Sequence, residues 1–600
     1  MDYMPDPSAP SPPPPRQQSP RSDATLTGAT PPPKRSKWNS RTEFLLATVG
    51  NCVGVGNVWR FPYLCYRNGG GSFLVPYFLA LLLLGMPLFL LELALGQRFE
   101  LGATHAYGKL HRRFRGVGAA GTLMAYVCLW YYNVILAWTV VYAAHSLRPR
   151  VPWGADGVDA ERFWEAQVLH ESSGFDDFGE RGPASAALFF ALVLSWTCLF
   201  LATRRGVHSA GKVAYVAATA PYGILVLLVI RGLTLRGAAE GLKFYVRPDA
   251  RKLATPRPWL DAANQIVYSL GVGTGQMIAF GSYNPADEDV VADSLAIAGA
   301  GKECDIPKAP LSAAIAALNS CTSLFAGVAV FAMLGHKARR DGADVGDVVA
   351  SGEGLAFVAY PDGLSSLPAA GLWSFLFFVM LFALCLDSGM AMLECWTTML
   401  RDFGVFSHDA EERWTVLGRR PRSQDVVVGG SCLFGFCGSL LFITRPGIYW
   451  FALVDRYVMW GVFLVAAVEC CGVAHVYGAR RFADDVRKAT GRAVPRFFLF
   501  AWSWGTPAFC VLLAGASFQS AFADSTYEGA RSTASAKAIG FLLMVGPACL
   551  MAGGAFERPS PSYCAVEKPA ASVELTAVAA ASPTKGGGRL ARAASGAEVV

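Results

Sequence analysis

The sequence predicts an all-α membrane protein of twelve spanning helices, on three observations. Hydrophobic residues make up 53% of the 600 and charged residues only 16%, where soluble domains carry about 25% charge. Apolar runs long enough to cross a bilayer, about 20 residues each, recur twelve times between Glu43 and Gly553. Polar loops separate them at spacings that a soluble chain of this size would fill with charge.

Taken in order, residues 1–37 hold 11 of the 35 prolines and no apolar signal-peptide core, so they read as a disordered tail and the first span directs insertion itself. The spans lie near 43–66, 72–96, 116–146, 184–202, 210–235, 259–283, 310–335, 368–400, 424–443, 446–475, 496–516 and 533–553. Residues 554–600 are polar and Ala-rich, a second disordered tail. The loops at 97–115, 203–212, 401–423 and 476–495 concentrate Lys and Arg, for example Arg112, Arg113, Arg115, Arg204 and Arg205. The opposite loops are longer and less basic per residue, with 237–258 an exception. The positive-inside rule then puts both tails in the cytoplasm.

The first span contains Gly54-Val55-Gly56-Asn57 and the sixth Gly271-Val272-Gly273-Thr274-Gly275. Glycine costs a helix about 1 kcal/mol per site relative to alanine, so both helices are expected to open there. One such cluster alone would suit close helix packing. Two, five spans apart and flanked by polar residues, suggest repeats 1–5 and 6–10 around a site near the midplane.

Several classes are excluded or weakened. A net charge of +7 is small for the length, which speaks against nucleic acid as a partner. Most of the Cys residues, among them Cys128, Cys198, Cys321, Cys385 and Cys432, sit in apolar runs and behave as small hydrophobes. No zinc-type cluster, Walker loop or Gly-x-Ser-x-Gly elbow occurs, so an enzyme and a resident cofactor are not expected.

Trp59-Arg60-Phe61-Pro62-Tyr63-Leu64 with Asn68-Gly69-Gly70-Gly71, Trp259-Leu260-Asp261-Ala262-Ala263, Gly281-Ser282-Tyr283-Asn284, Gly354 to Pro361 and Leu386-Asp387-Ser388 are distinctive. In this order, from about Trp38 to Gly553, they resemble the neurotransmitter:sodium symporters, sodium- and chloride-coupled carriers of amino acids, GABA, monoamines and osmolytes. The resemblance implies the bacterial leucine transporter fold: two inverted five-helix repeats, two extra helices, broken helices 1 and 6, and alternating access. A transporter domain would then span 38–553, in a membrane, most simply the plasma membrane.

The resemblance also implies sites. Sodium 1 would use the Cys52 carbonyl, Asn57, Ser269 and Asn319; sodium 2 would use carbonyls of Gly50, Val53 and Leu384 with Asp387 and Ser388. Hard cations take oxygen ligands, and an opened helix frees carbonyls. An aspartate mid-span costs about 2.5–3.5 kcal/mol on insertion scales unless paired. Chloride would lie among Tyr77, Gln265, Ser269, Asn319 and Ser323; bacterial relatives carry a glutamate where Ser323 stands, and a mobile anion would replace its charge. Arg60 with Asp455 would form the outer gate over Tyr132 and Tyr268, and Arg35 with Asp402, beside Trp38, the inner one. Glu92, Glu394 and Glu469 read as interhelical pairs.

For substrate, the implied contacts are Asn51, Cys52, Val55, Gly56, Cys128, Tyr132, Tyr268, Gly271, Thr274, Gly389 and Met392. Helix-end amides near Val55 and Gly56 suit a carboxylate, and no acidic residue stands at 50–57 to pair a cationic monoamine. The Gly50-Asn51 pair resembles the bacterial amino-acid carriers, which gives a neutral α-amino acid as the expected substrate. GABA, taurine, betaine and related osmolytes are the alternative, and a non-transporting amino-acid receptor is the rival of another class. The loop 147–183 has no Cys and the chain has no Asn-x-Ser/Thr sequon, unlike the usual animal members. The loop 285–309 is expected to be a connector, and Glu598-Val599-Val600 is only a weak PDZ-binding candidate.

Overall fold

The computed structural model describes residues 37–154, 159–172, 174–175, 185–285, 311–348, 355–403, 423–523, 526–527, 530–531 and 533–556. Most of both predicted tails, the loop 286–310 with most of the expected connector, Arg35 and the C-terminal Val600 lie outside these residues.

Among the described residues ten helices are long and apolar enough to cross a membrane. The two predicted spans outside that set are the two with glycine clusters, because each is broken into halves. The first begins at α1 (Arg41–Cys52), where the Ser40 side chain accepts the Glu43 N–H as N-cap and the Glu43 carboxylate accepts the Asn39 N–H at 3.1 Å. Such caps satisfy donors that a helix start leaves open. The chain opens at Val53 and resumes as α2 (56–67). The Asn57 Oδ1 accepts the Gly54 N–H at 3.0 Å, so the residue after the glycines seals the break.

Next come α3 (Gly71–Phe99), the short α4 (Ala103–Leu110), α5 (Arg112–Ser146), α6 (Ala186–Thr203) and α7 (Val207–Leu233). The sixth span is α8 (Arg257–Leu270), an opened stretch, and α9 (Gln276–Ser282). Gly271, Gly273 and Gly275 have φ of 63°, 74° and 78°, the left-handed region that L side chains avoid at about 1–2 kcal/mol each. Three glycines at alternate positions therefore make this break possible. Then follow α10 (Leu311–Asp341), α11 (Ala370–Asp402), α12 (Gln424–Ile443), α13 (Gly447–Cys471), the surface helix α14 (Ala479–Thr490), α15 (Arg496–Gln519) and α16 (Ala534–Phe556). A two-residue hairpin pairs Thr526 with Arg531 between the last two.

The packing has the symmetry that exchanging helices 1–5 with 6–10 demands. The third and eighth spans, α5 and α11, share the largest interface. The second packs on both halves of the sixth, as the seventh packs on both halves of the first. The fifth, α7, lies along α1, and a Cβ added at Gly273 would sit 2.8 Å from Val462 of the tenth. Outward-facing side chains on α6 such as Phe190 and Leu201 are 69% and 54% exposed, which suits hydrocarbon rather than water.

Candidate functional site

The opened backbones of the first and sixth spans meet at the centre of the bundle, and polar groups gather there. The Ser269 Oγ lies 3.2 Å from the Cys52 carbonyl, 3.0 Å from Asn319 Oδ1 and 3.5 Å from Asn57 Oδ1, three acceptors for its one proton. The four residues expected at sodium 1 are thus brought together, each offering an oxygen. Asn57 is held there because its Nδ2 donates to the Asn319 carbonyl at 3.0 Å and to Ser323 Oγ at 2.8 Å.

At the sodium 2 residues, Ser388 Oγ lies within donating distance of the Asn51 carbonyl, at 3.2 Å, and of the Leu384 carbonyl, at 3.4 Å. Asp387 lies one residue earlier on α11, only 4% exposed, and its Oδ2 has no hydrogen-bond partner among the described residues. A methyl on Gly50 would overlap that carboxylate, so glycine lets α1 press its backbone onto the acid. A buried carboxylate oxygen with no donor is costly alone and fits a hard cation beside free carbonyls.

The expected chloride residues adjoin sodium 1. Gln265 Nε2 donates to the Gly56 carbonyl at 3.0 Å, Ser323 Oγ to the Asn319 carbonyl at 3.2 Å, and Tyr77 Oη to Ser320 Oγ at 3.1 Å. The Asn319 Nδ2 is a buried donor without a partner among the described residues, which suits an anion. Ser320 was not anticipated; its hydroxyl faces Tyr77 because it follows Asn319 by one residue on α10.

The central void itself is small, about 20 Å³, room for about one water molecule. Asn51, Cys52, Gly54, Gly56, Tyr132, Tyr268, Ser388 and Met392 line it, together with Gln276. The Tyr132 hydroxyl lies beside Ser388 and Cys385. Three expected wall residues do not line it. Thr274 Oγ1 donates to the Gly271 carbonyl at 2.8 Å and accepts from Gln276 Nε2 at 3.0 Å, so it braces the break. A Cβ on Gly389 would meet Leu129 and Leu199, each at 3.6 Å, so that position turns toward α5 and α6. Cys128 is buried a turn before Tyr132 but outside the lining. Gly271 abuts Asn51, whose Nδ2 would stand 3.1 Å from an added Cβ. Val55 is buried at the break and instead borders the outer cavity. Gln276, the first residue of α9, had no sequence signal beyond its place after the glycines.

Above the void is a cavity of about 580 Å³, within the usual range for ligand pockets. Its lining includes Arg60 and Asp455, the pair expected as the outer gate. Arg60 Nη2 lies 3.4 Å from Asp455 Oδ2, and its guanidinium sits 4.8 Å from the Tyr268 ring centre. Tyr131 Oη donates to Asp455 Oδ1 at 2.9 Å, a gate contact the sequence reading missed in favour of its neighbour Tyr132. At the opposite end Trp38 is buried against Phe44, Phe280 and Tyr283, with its Nε1 donating to the Phe280 carbonyl at 3.3 Å. Lys37 adds an unforeseen clasp, pairing with Glu100 at 2.8 Å and donating to the Asn284 carbonyl at 2.7 Å. Asp402 Oδ2 accepts the Gly102 N–H at 2.6 Å; Arg35, its expected partner, lies outside the described residues.

The three spans' glutamates depart from the expected pairing. Glu394 pairs with Arg401 of its own helix and accepts from Tyr283 Oη at 2.7 Å. Glu92 accepts the Gly273 N–H and Glu469 the Tyr107 hydroxyl, and neither is paired with a basic residue among the described ones.

Two broken helices crossing at a polar centre are the mark of a secondary transporter. The chain belongs to the sodium:neurotransmitter symporter family, whose model matches residues 35–160 and 156–556, and so is a transporter rather than an enzyme. It is 36% identical over 510 residues to the sodium- and chloride-dependent taurine transporter of Bos taurus, covering 80% of this chain and 77% of that one. It is similarly 36% identical over 505 residues to the sodium- and chloride-dependent GABA transporter 2 of Macaca fascicularis (80% and 78%). The creatine transporter of Torpedo marmorata is 35% identical over 509 residues (80% and 78%).

Proposed function

We propose that this chain couples sodium and chloride to the import of a small zwitterion of the taurine, GABA or creatine kind, by alternating access across the plasma membrane with both tails cytoplasmic. The observation that carries the substrate class is that relatives named for those compounds align with 80% of this chain. This favours the osmolyte alternative over a neutral α-amino acid. Of the contacts expected around an amino-acid side chain, Cys128, Thr274 and Gly389 do not line the void, whereas Met392 does and Gln276 joins it.

In this reading sodium 1 and the opened amides near Val55 and Gly56 take the anionic end of the substrate. Gln276 and the carbonyls of Cys52 and Tyr268 are left for the cationic end. Sodium 2, on Asp387 and Ser388, ties α11 to α1 across the gap that alternating access must open and close. Chloride beside Ser323 offsets the charge that sodium brings. Because the void is smaller than any such solute, binding requires Tyr268 and Arg60 to swing into the cavity above. Each tenfold ion gradient supplies about 1.4 kcal/mol per ion, and one net charge moved through 100 mV adds about 2.3 kcal/mol.

The test is uptake of labelled taurine, GABA, creatine and neutral α-amino acids into expressing cells. Accumulation of one of the first three supports the reading. Accumulation of α-amino acids alone overturns the substrate class, and binding without accumulation in surface-exposed protein favours a receptor.

A further inference from the structure

Every outward face of the bundle meets hydrocarbon, but one of them holds a groove of about 340 Å³ between α6 and α12. These are the fourth and ninth spans, equivalent members of the two repeats. Glycine leaves the space on the α12 side. A Cβ added at Gly429 would meet the Phe200 ring only at 3.5 Å, and one at Gly430 would meet nothing within 4 Å. The buried Trp196 ring ties the two helices together. It packs so closely on Gly435 that a Cβ there would overlap the indole, and its Nε1 donates to Ser439 Oγ at 3.2 Å. Thr197, the hydroxyl in the lining, donates its proton to the Val193 carbonyl at 2.7 Å. The walls are therefore apolar.

Along α6 the lining runs from Val193 to Phe200, about 10 Å at 1.5 Å per residue. The helix has 18 residues, Ala186–Thr203, and so is about 27 Å long against a hydrocarbon core of about 30 Å. Val193 stands near its middle, so the groove covers a single leaflet, the one on the side of Arg204. At that end the Arg204 guanidinium carbon lies 5.8 Å from the ring centre of Phe200, at the mouth of the groove. The Arg204 side chain is 39% exposed and meets Asp425 only at 3.5 Å through Nε, which has no hydrogen-bond partner among the described residues. Arg205 follows it, exposed.

We propose that this groove binds one anionic phospholipid of that leaflet, the cytoplasmic one in the topology proposed above. An acyl chain lies between α6 and α12, and the phosphate-bearing headgroup lies at Arg204 and Arg205. Apolar walls half a bilayer long fit a chain, and the planar donor array of arginine fits phosphate oxygens. Asp425 offsets one of the two arginines and so sets how strongly the site prefers negative charge. A lipid held there bridges the two repeats at their periphery, away from the ion and substrate contacts.

The test uses the full chain in detergent micelles with a trace of phosphatidylserine that carries a photoreactive diazirine in its acyl chain. Label is expected on the α6 and α12 peptides that line the groove. An arginine near the membrane surface contributes about fivefold to the binding of an anionic lipid. Unlabelled phosphatidylserine is therefore expected to displace the label at about a fifth of the concentration that phosphatidylcholine needs. Arg204→Gln is expected to abolish that preference, Asp425→Asn to enlarge it, and Gly429→Leu to remove the label from both helices. Equal displacement by the two phospholipids in wild type makes the face ordinary lipid contact and overturns the proposal. Displacement by cholesterol at lower concentration than by phosphatidylserine, or a groove left unlabelled in a chain that migrates as a dimer, overturns it too. The wild-type competition needs no variant to fold and no transported substrate, so it stands apart from the symport reading.

Discussion

At the scale of single residues the account turns on groups whose bonding is incomplete without an ion. Asp387 Oδ2 is buried with no donor, so Asp387→Asn keeps the shape and removes the charge that would bind sodium. Loss of a charged contact costs about 2–3 kcal/mol, and the sodium concentration for half-maximal uptake is expected to rise roughly thirty- to a hundredfold. Unchanged sodium dependence in that variant would remove Asp387 from the site. Ser323→Glu puts a fixed negative charge next to Asn57 and Asn319, and uptake that continues after chloride replacement is the expected result. Tyr131→Phe deletes the bond to Asp455 while leaving Arg60 in place, so bound substrate should exchange about tenfold faster, measured by release of label from the closed carrier.

At the scale of elements, the breaks were legible because glycine is both the residue a helix tolerates badly and the one a left-handed backbone needs. The sodium 1 set came instead from the family resemblance: Cys52, Asn57 and Ser269 flank those breaks, whereas Asn319 reaches them from α10. The lining beyond the breaks was not legible. Thr274 was expected at the wall, but a hydroxyl three residues after Gly271 finds that free carbonyl first, which rotates Gln276 inward instead. Gly389 shares a helix with Ser388, yet one residue is about 100° of helical turn, enough to point it at Leu129 and Leu199. Tyr131 and Tyr132 differ by the same turn, and only packing tells which one meets Asp455. Gly273→Ala tests the element directly: a positive φ and a Cβ at 2.8 Å from Val462 predict a loss of about 1–2 kcal/mol, seen as a lower thermal midpoint in detergent. An unchanged midpoint would mean the break relaxes more easily than its geometry implies.

At the scale of the whole molecule, the reading is that two pseudo-equivalent bundles rock about one polar centre. The apolar runs account for the span limits, and with the two glycine clusters for ten long helices and two broken ones among the described residues. What the chain of residues does not declare is the substrate, because the void is lined by backbone and by a few neutral side chains whose selectivity depends on how far Tyr268 and Arg60 swing. The most direct measurement of the central claim is accumulation of labelled taurine, GABA or creatine in liposomes containing the purified chain, with sodium and chloride gradients imposed singly and together. The account predicts concentration above the external level only when both ions are supplied, abolished by Asp387→Asn. Equal accumulation without either ion, or mere equilibration with both, would contradict it.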